Sequence, residues 1–121
     1  MRLKFIEMGG SPVLLHPIYF FLGCNTRFEE HPLNIGYSID LSDVQRNTVS
    51  FSYGDTMLSF NEENRKFAGE QYLNPLCGRL FMLDELMGLF ESTYFLAQSG
   101  LAVEAHLWVQ PDEKKIKKLY R

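Results

Sequence analysis

Val49-Ser50-Phe51-Ser52-Tyr53-Gly54-Asp55-Thr56-Met57-Leu58-Ser59-Phe60 is the stretch on which the fold class turns. Val49, Phe51 and Tyr53 alternate with Ser50 and Ser52, which is the period of a strand with one apolar face. Gly54-Asp55, with glycine first, suits a two-residue type II′ hairpin turn. Such a turn sets Phe51 opposite Leu58 and Val49 opposite Phe60, so the apolar residues of both strands share one side. Upstream, Tyr37, Ile39 and Leu41 alternate with Ser38 and Asp40 in the same way. The expectation is an antiparallel meander from about residue 37 to residue 60, with one face that needs a cover.

The expected cover is one long helix over about 75–99. Asn74 can cap it, Pro75 suits its first turn, and Ser99-Gly100 ends it. Gly78 and Gly88 weaken it and mark places for a bend or break. Leu101 to Val109 reads as a central strand, with Leu101, Val103, Ala105, Leu107 and Val109 on one face. Glu104, His106 and Trp108 fall on the other, expected to be a solvent-facing polar row. Leu3 to Met8 reads as a strand closed by the turn formers Gly9-Gly10-Ser11-Pro12, and Ile18 to Leu22 as another. Asn25 to Asn34, broken by Pro32, reads as a loop. Pro111-Asp112-Glu113 opens a short C-terminal helix whose lysines and Arg121 sit at its favourable end. The fold class is therefore α+β, a meander sheet packed on one long helix within a single domain, 1–121.

With 121 residues, 45% of them apolar and 22% charged, the chain has the makings of an ordinary globular core, and disorder and disulfide scaffolds are excluded. The apolar run Val13 to Cys24 is about twelve residues, short of the ~20 needed to span a bilayer, and His16 and Pro17 interrupt it. Leu80 to Gln98 is long enough but carries Asp84, Glu85 and Glu91, each costing roughly 2.5–3.5 kcal/mol at a bilayer centre. No signal-peptide pattern opens the chain, and Cys24 and Cys77 lie far apart, so a cytoplasmic location with reduced thiols is expected.

Few residues stand in a pattern that carries chemistry. His16, Cys24, His31, Cys77 and His106 match no metal-ligand spacing, and no metal is expected. Gly9-Gly10-Ser11 lacks the Lys-Ser/Thr ending of a phosphate loop, and no dinucleotide fingerprint is present, so no cofactor is expected either. Glu104 and His106, two apart on one strand, form the best acid–base pair. They define an alternative reading, a small enzyme or ligand-binding domain with a pocket between helix and sheet, served also by His16 or Tyr94.

Charge points elsewhere. Residues 1–111 hold 13 acids against 7 bases, a balance of −6, while residues 112–121 hold 2 against 5, a balance of +3. The net −3 argues against a general nucleic-acid binder. On the expected helix Asp84, Glu85 and Glu91 form a stripe around Gly88 that also contains Phe81 and Phe95, about 21 Å apart. Acids on the hairpin side, Asp40, Asp43, Asp55, Glu62 and Glu63, extend the field. Aromatic anchors with acidic steering fit a basic protein partner. The competing arrangement has Val13 to Leu22 covering both rings, and a third has a second copy of the chain meeting them in a homodimer. In profile the chain resembles bacterial immunity proteins as a class, being small, acidic and without catalytic motifs. The resemblance implies an inhibitor that neutralises a toxin, such as a nuclease, by binding and occluding it.

Overall fold

The computed structural model describes residues 1–22, 36–54, 56, 60, 63, 76–90 and 103–120. Helix α1 (Arg2–Glu7) comes first, followed by strands β1 (Ile18–Phe21) and β2 (Gly36–Ser38). Two 3-10 turns, Leu41–Asp43 and Arg46–Thr48, lead into β3 (Val49–Tyr53). Strand β4 (Leu80–Phe81), helix α2 (Leu83–Phe90) and β5 (Val103–Leu107) follow, and a 3-10 turn at Glu113–Lys115 leads into β6 (Lys117–Tyr120). The main sheet runs β1-β5-β3-β4, entirely antiparallel, and β2 pairs with β6 in a second, two-stranded sheet. Mixed α+β architecture is thus present, but its connectivity differs from a meander.

The difference lies in where β3 finds its partners. Phe51 stands opposite Ala105 on one side and Phe81 on the other, so both edges of β3 are occupied and no edge is left for a hairpin partner at 56–60. Thr56 is helical, and residues 57–59 lie outside the described residues. The strand expected over 37–41 stops at Ser38, because Asp40 accepts from the Ser42 amide and starts a 3-10 turn. Its partner is Lys117–Tyr120, which forms a strand and not the expected helix. Asp112 caps one 3-10 turn there, and Ser38 and Tyr37 then take Lys117 and Lys118 into a ladder.

The N-terminal segment departs from expectation for a reason readable in its cap. Gly10 N–H donates to the Phe5 carbonyl and Gly9 N–H to that of Ile6, with Gly9 at φ 96°. These paired bonds are the Schellman closure of a helix, so the glycines that looked like the end of a strand are the end of α1. The expected long helix is also divided. Gly78, at φ 83°, turns the chain after Leu76 and Cys77, β4 follows, and α2 begins only at Leu83. There Glu85 reaches back to accept from the Met82 amide, half of a capping box. Among the described residues α2 is the one helix longer than seven residues, and no helix is long and apolar enough to cross a membrane.

Alternation along β3 and β5 builds two different faces. On one, Val49, Phe51, Tyr53, Val103 and Ala105 pack with Leu76, Cys77, Phe81 and Leu86 in the main core, with Phe20, Leu83 and Leu89 around it. On the other, Leu80 and Trp108 form a smaller cluster with Phe5, whose ring stacks on the Trp108 indole at 5.3 Å. Phe5 is thus the residue by which α1 holds the sheet. Burying an aromatic ring of this size is worth roughly 3–5 kcal/mol against alanine.

Candidate functional site

The sheet's second face carries a row of polar side chains set by strand register. Tyr19, His106 and Ser50 stand side by side across β1, β5 and β3, and Phe21, Glu104, Ser52 and Leu80 form the next rank. The expectation of a solvent-facing row fails here: His106 is 0% exposed, and Glu104, Trp108, Ser50 and Ser52 are buried with it. The Phe5–Trp108 stack closes one end, and the Tyr19 ring meets the His106 ring edge-on at 5.5 Å.

The indole, hydroxyl, imidazole and carboxylate of the row bond one another in sequence, and the donors and acceptors follow from the chemistry of the ends. Trp108 Nε1 can only donate, and does so to Ser50 Oγ at 2.9 Å. Ser50 Oγ lies 2.9 Å from His106 Nδ1, and His106 Nε2 lies 2.9 Å from Glu104 Oε1. Thr56 Oγ1 donates to the same carboxylate oxygen at 2.9 Å. Ser52 Oγ donates to the Gly54 carbonyl and lies 3.4 Å from His106 Nε2. The assignment that satisfies every hydrogen is a neutral imidazole with its proton on Nε2: Nε2–H donates to Glu104, and Ser50 donates to Nδ1 while accepting from Trp108. An unsatisfied buried donor or acceptor costs about 1–3 kcal/mol, so the whole row favours this one pattern.

Ser50, His106 and Glu104 therefore form a serine–imidazole–carboxylate chain, the ingredients of nucleophilic catalysis. The Ser50 hydroxyl is fully buried, and its oxygen already holds the Trp108 N–H. A cleft of about 130 Å³ is lined by residues such as Asp43, Gln45, Thr48, Val109, Asp112 and Lys115 and by none of the chain's members. His16 is exposed ahead of β1, and Tyr94 lies outside the described residues. Cys77 is buried, and no group of three metal-ligating side chains occurs among the described residues.

The residues expected to bind a partner divide differently. Phe81 is not an exposed helical anchor: it lies in β4, 2% exposed, with the Arg79 guanidinium over its ring at 5.0 Å. Asp84 and Glu85 are exposed in the first turn of α2, where the helix dipole favours carboxylates. Asp84 pairs with Arg46 across from the 3-10 turn, and Asp43 pairs with Lys115 at 3.7 Å. Asp40 accepts from the Ser42 amide and hydroxyl, bonds that hold its carboxyl below the ordinary value of 3.8. Glu63 is exposed and helical. Phe95, Glu91, Asp55 and Glu62 lie outside the described residues.

Several large apolar side chains are exposed, Leu3, Val13 and Leu15 among them, and one of these lies on the acidic helix. Met87 is 54% exposed on α2 and shares a face with Asp84 and Gly88 at helical spacing, while Leu86 on the opposite face is buried. Ser50 and Ser52 were passed over, although their parity on β3 matches that of Glu104 and His106 on β5. No family model, no curated protein and no solved structure matches the chain.

Proposed function

We propose that the chain is a small protein-binding module that acts by covering a basic partner, an immunity-type inhibitor of a toxin such as a nuclease. On this reading it works in the cytoplasm of a bacterial cell. The observation that carries it is the exposed face of α2, where Met87 stands 54% exposed between Asp84 and the open backbone of Gly88, with Glu85 beside them. A flexible, polarisable anchor framed by carboxylates is suited to a partner with a basic rim and an apolar pocket. The acids steer encounter and Met87 holds the complex. Phe81, buried in β4, has no part in this surface.

The test is the association rate of a basic protein recovered from the native host on the wild-type chain, measured against ionic strength. Reversing Asp84→Lys and Glu85→Lys should slow association at least tenfold at low salt and flatten its salt dependence, the behaviour of steered encounter. An association rate unchanged by the double reversal overturns the proposal. The catalytic alternative rests on the Ser50–His106–Glu104 chain. A fluorophosphonate probe applied to the native protein separates the two: labelling at Ser50 favours the enzyme, and an unlabelled Ser50 favours the binding module.

A further inference from the structure

We propose that a second copy of this chain docks on the outer edge of β1, in a two-fold contact centred on Tyr19 that joins the two main sheets into one. Among the described residues β1 ends the sheet order β1-β5-β3-β4, with β5 on its one paired side. Leu22 N–H donates to the Val103 carbonyl, so Leu22, Phe20 and Ile18 turn their backbone groups toward β5, and Tyr19 turns its N–H and C=O to the outer edge. Among the described residues nothing pairs with those two groups, and Tyr19 is 53% exposed. Edge strands are ordinarily guarded by charged side chains, lysine above all. Here residues 8–22 contain no Asp, Glu, Lys or Arg. Pro17, two residues before Tyr19 on the same edge, has no N–H to give, which confines a two-bond exchange to Tyr19.

Charge, area and symmetry select the occupant. The chain carries a net −3, so two copies repel over much of their surface, but a contact through an uncharged segment brings no like charges together. The same absence of acids leaves a basic partner nothing to steer it here. Apolar side chains gather beside the edge. Val13 N–H donates to the carbonyl of Trp108, which follows Leu107, the residue opposite Ile18, so this segment borders the start of β1. Arg2 Nε donates to the Leu14 carbonyl at 3.4 Å, which sets exposed Val13 and Leu15 beside the flank of α1 that carries Arg2, Ile6 and Leu3 at helical spacing. At on the order of 100–150 Å² for each fully exposed side chain, the exposed parts of Leu3, Ile6, Val13, Leu15 and Tyr19 amount to roughly 300–450 Å² of apolar surface. One side of a standard interface buries ~800 Å², about 450 Å² of it non-polar, so the patch supplies most of what a stable dimer needs. Symmetry then fixes the register. Directly opposed residues of antiparallel strands share a face, and a two-fold axis normal to the sheet sets Tyr19 opposite its own copy, each donating to the other's carbonyl. A slip of one residue opposes Tyr19 to Phe20, which packs against the main core on the other face, and is excluded. The contact uses no residue of α2 and stands independently of the partner proposed for that helix.

The experiment measures the mass of the full chain by sedimentation equilibrium, from low micromolar to several hundred micromolar concentration. The expected result is a monomer–dimer equilibrium. Tyr19→Lys, which sets two ammonium groups against each other at the axis, should weaken dimerisation about tenfold or more with an unchanged circular dichroism spectrum. Tyr37→Lys, at a comparably exposed side chain of the second sheet, should leave it as it is. Tyr19→Cys gives a second readout. Opposed residues that exchange both bonds lie about 5.5 Å apart at Cα, within disulfide reach, so mild oxidation should link two chains into a covalent dimer that the wild type and Tyr37→Cys do not form. A monomer at every concentration overturns the proposal, as does a dimer that Tyr19→Lys leaves intact and Tyr19→Cys does not link. A monomer that sediments with phosphatidylcholine vesicles assigns the patch to a bilayer surface and overturns it equally.

Discussion

Replacing Ser50 with alanine is the perturbation whose cost can be worked most fully from the structure. The substitution removes one oxygen atom and leaves the strand backbone alone. What it strands is larger: the Trp108 Nε1–H loses its acceptor and His106 Nδ1 loses its donor, both in a fully buried place. At about 1–3 kcal/mol for each of the two buried polar groups left unsatisfied, the expected loss is roughly 2–6 kcal/mol. With a urea m-value of about 2 kcal/mol/M, the middle of the range for small domains, the unfolding midpoint should fall by about 1–3 M. The assay is urea unfolding followed by Trp108 emission and, in parallel, by far-ultraviolet circular dichroism. Ser42→Ala provides the comparison, since that exposed hydroxyl bonds only Asp40 and should cost under about 1 kcal/mol. If Ser50→Ala unfolds within about 0.5 kcal/mol of the wild type, the hydroxyl does not join Trp108 to His106 as described, and the row's bonding pattern is wrong.

Other expectations concern single contacts. Gly10→Ala would bring its Cβ to 2.5 Å from the Phe5 ring and should destabilise by about 1–3 kcal/mol, whereas Gly88→Ala meets nothing within 4 Å and should stabilise α2 by up to ~1 kcal/mol, both read from thermal or urea unfolding. Arg46→Ala removes an exposed ion pair with Asp84 and should change stability by less than about 1 kcal/mol, with any effect vanishing in high salt. Asp40 has a folded-state carboxyl held below its ordinary value by Ser42, so its contribution is present above the ordinary carboxylate range and is lost as pH falls through the lowered folded value. Asp40→Asn should accordingly flatten the acid limb of a stability–pH curve in that range and leave the neutral region shifted by a constant amount.

Alternation marked the two central strands, although the equally alternating 37–41 is strand only as far as Ser38. Val49 to Tyr53 and Val103 to Leu107 form strands with the faces that their alternation implies, and Ile18 to Phe21 forms the third. What alternation does not encode is the neighbour. The Gly54-Asp55 hairpin is a local signal, but Phe51 is satisfied by Ala105 and Phe81, contacts far along the chain that no turn motif announces. Caps misled in a related way. Gly9-Gly10 closes a helix as readily as it turns a strand, and the deciding bonds, from Gly10 to Phe5 and from Gly9 to Ile6, belong to three-dimensional geometry.

The polar row was half legible. Glu104 and His106 stood out as a pair, yet their burial depends on partners from β1, β3 and α1, so composition alone favoured an open face. Knowing that β3 pairs with β5 is what brings Ser50 to His106 and Ser52 to Glu104. The acidic surface shows the reverse case. Asp84 and Glu85 are exposed as expected, but moving the start of the helix to Leu83 replaces Phe81 with Met87 as the apolar side chain among them.

The proton on the His106 ring decides most directly whether the polar row is a sealed structural element. Nitrogen-15 spectra of the imidazole at pH 8 distinguish the two neutral tautomers and the imidazolium by the shifts of Nδ1 and Nε2. The bonding described here requires a protonated Nε2 and a bare, hydrogen-bonded Nδ1, with no exchange of the Nε2 proton on the timescale of the measurement. A protonated Nδ1, or an Nε2 proton that exchanges as freely as in an exposed histidine, would contradict it.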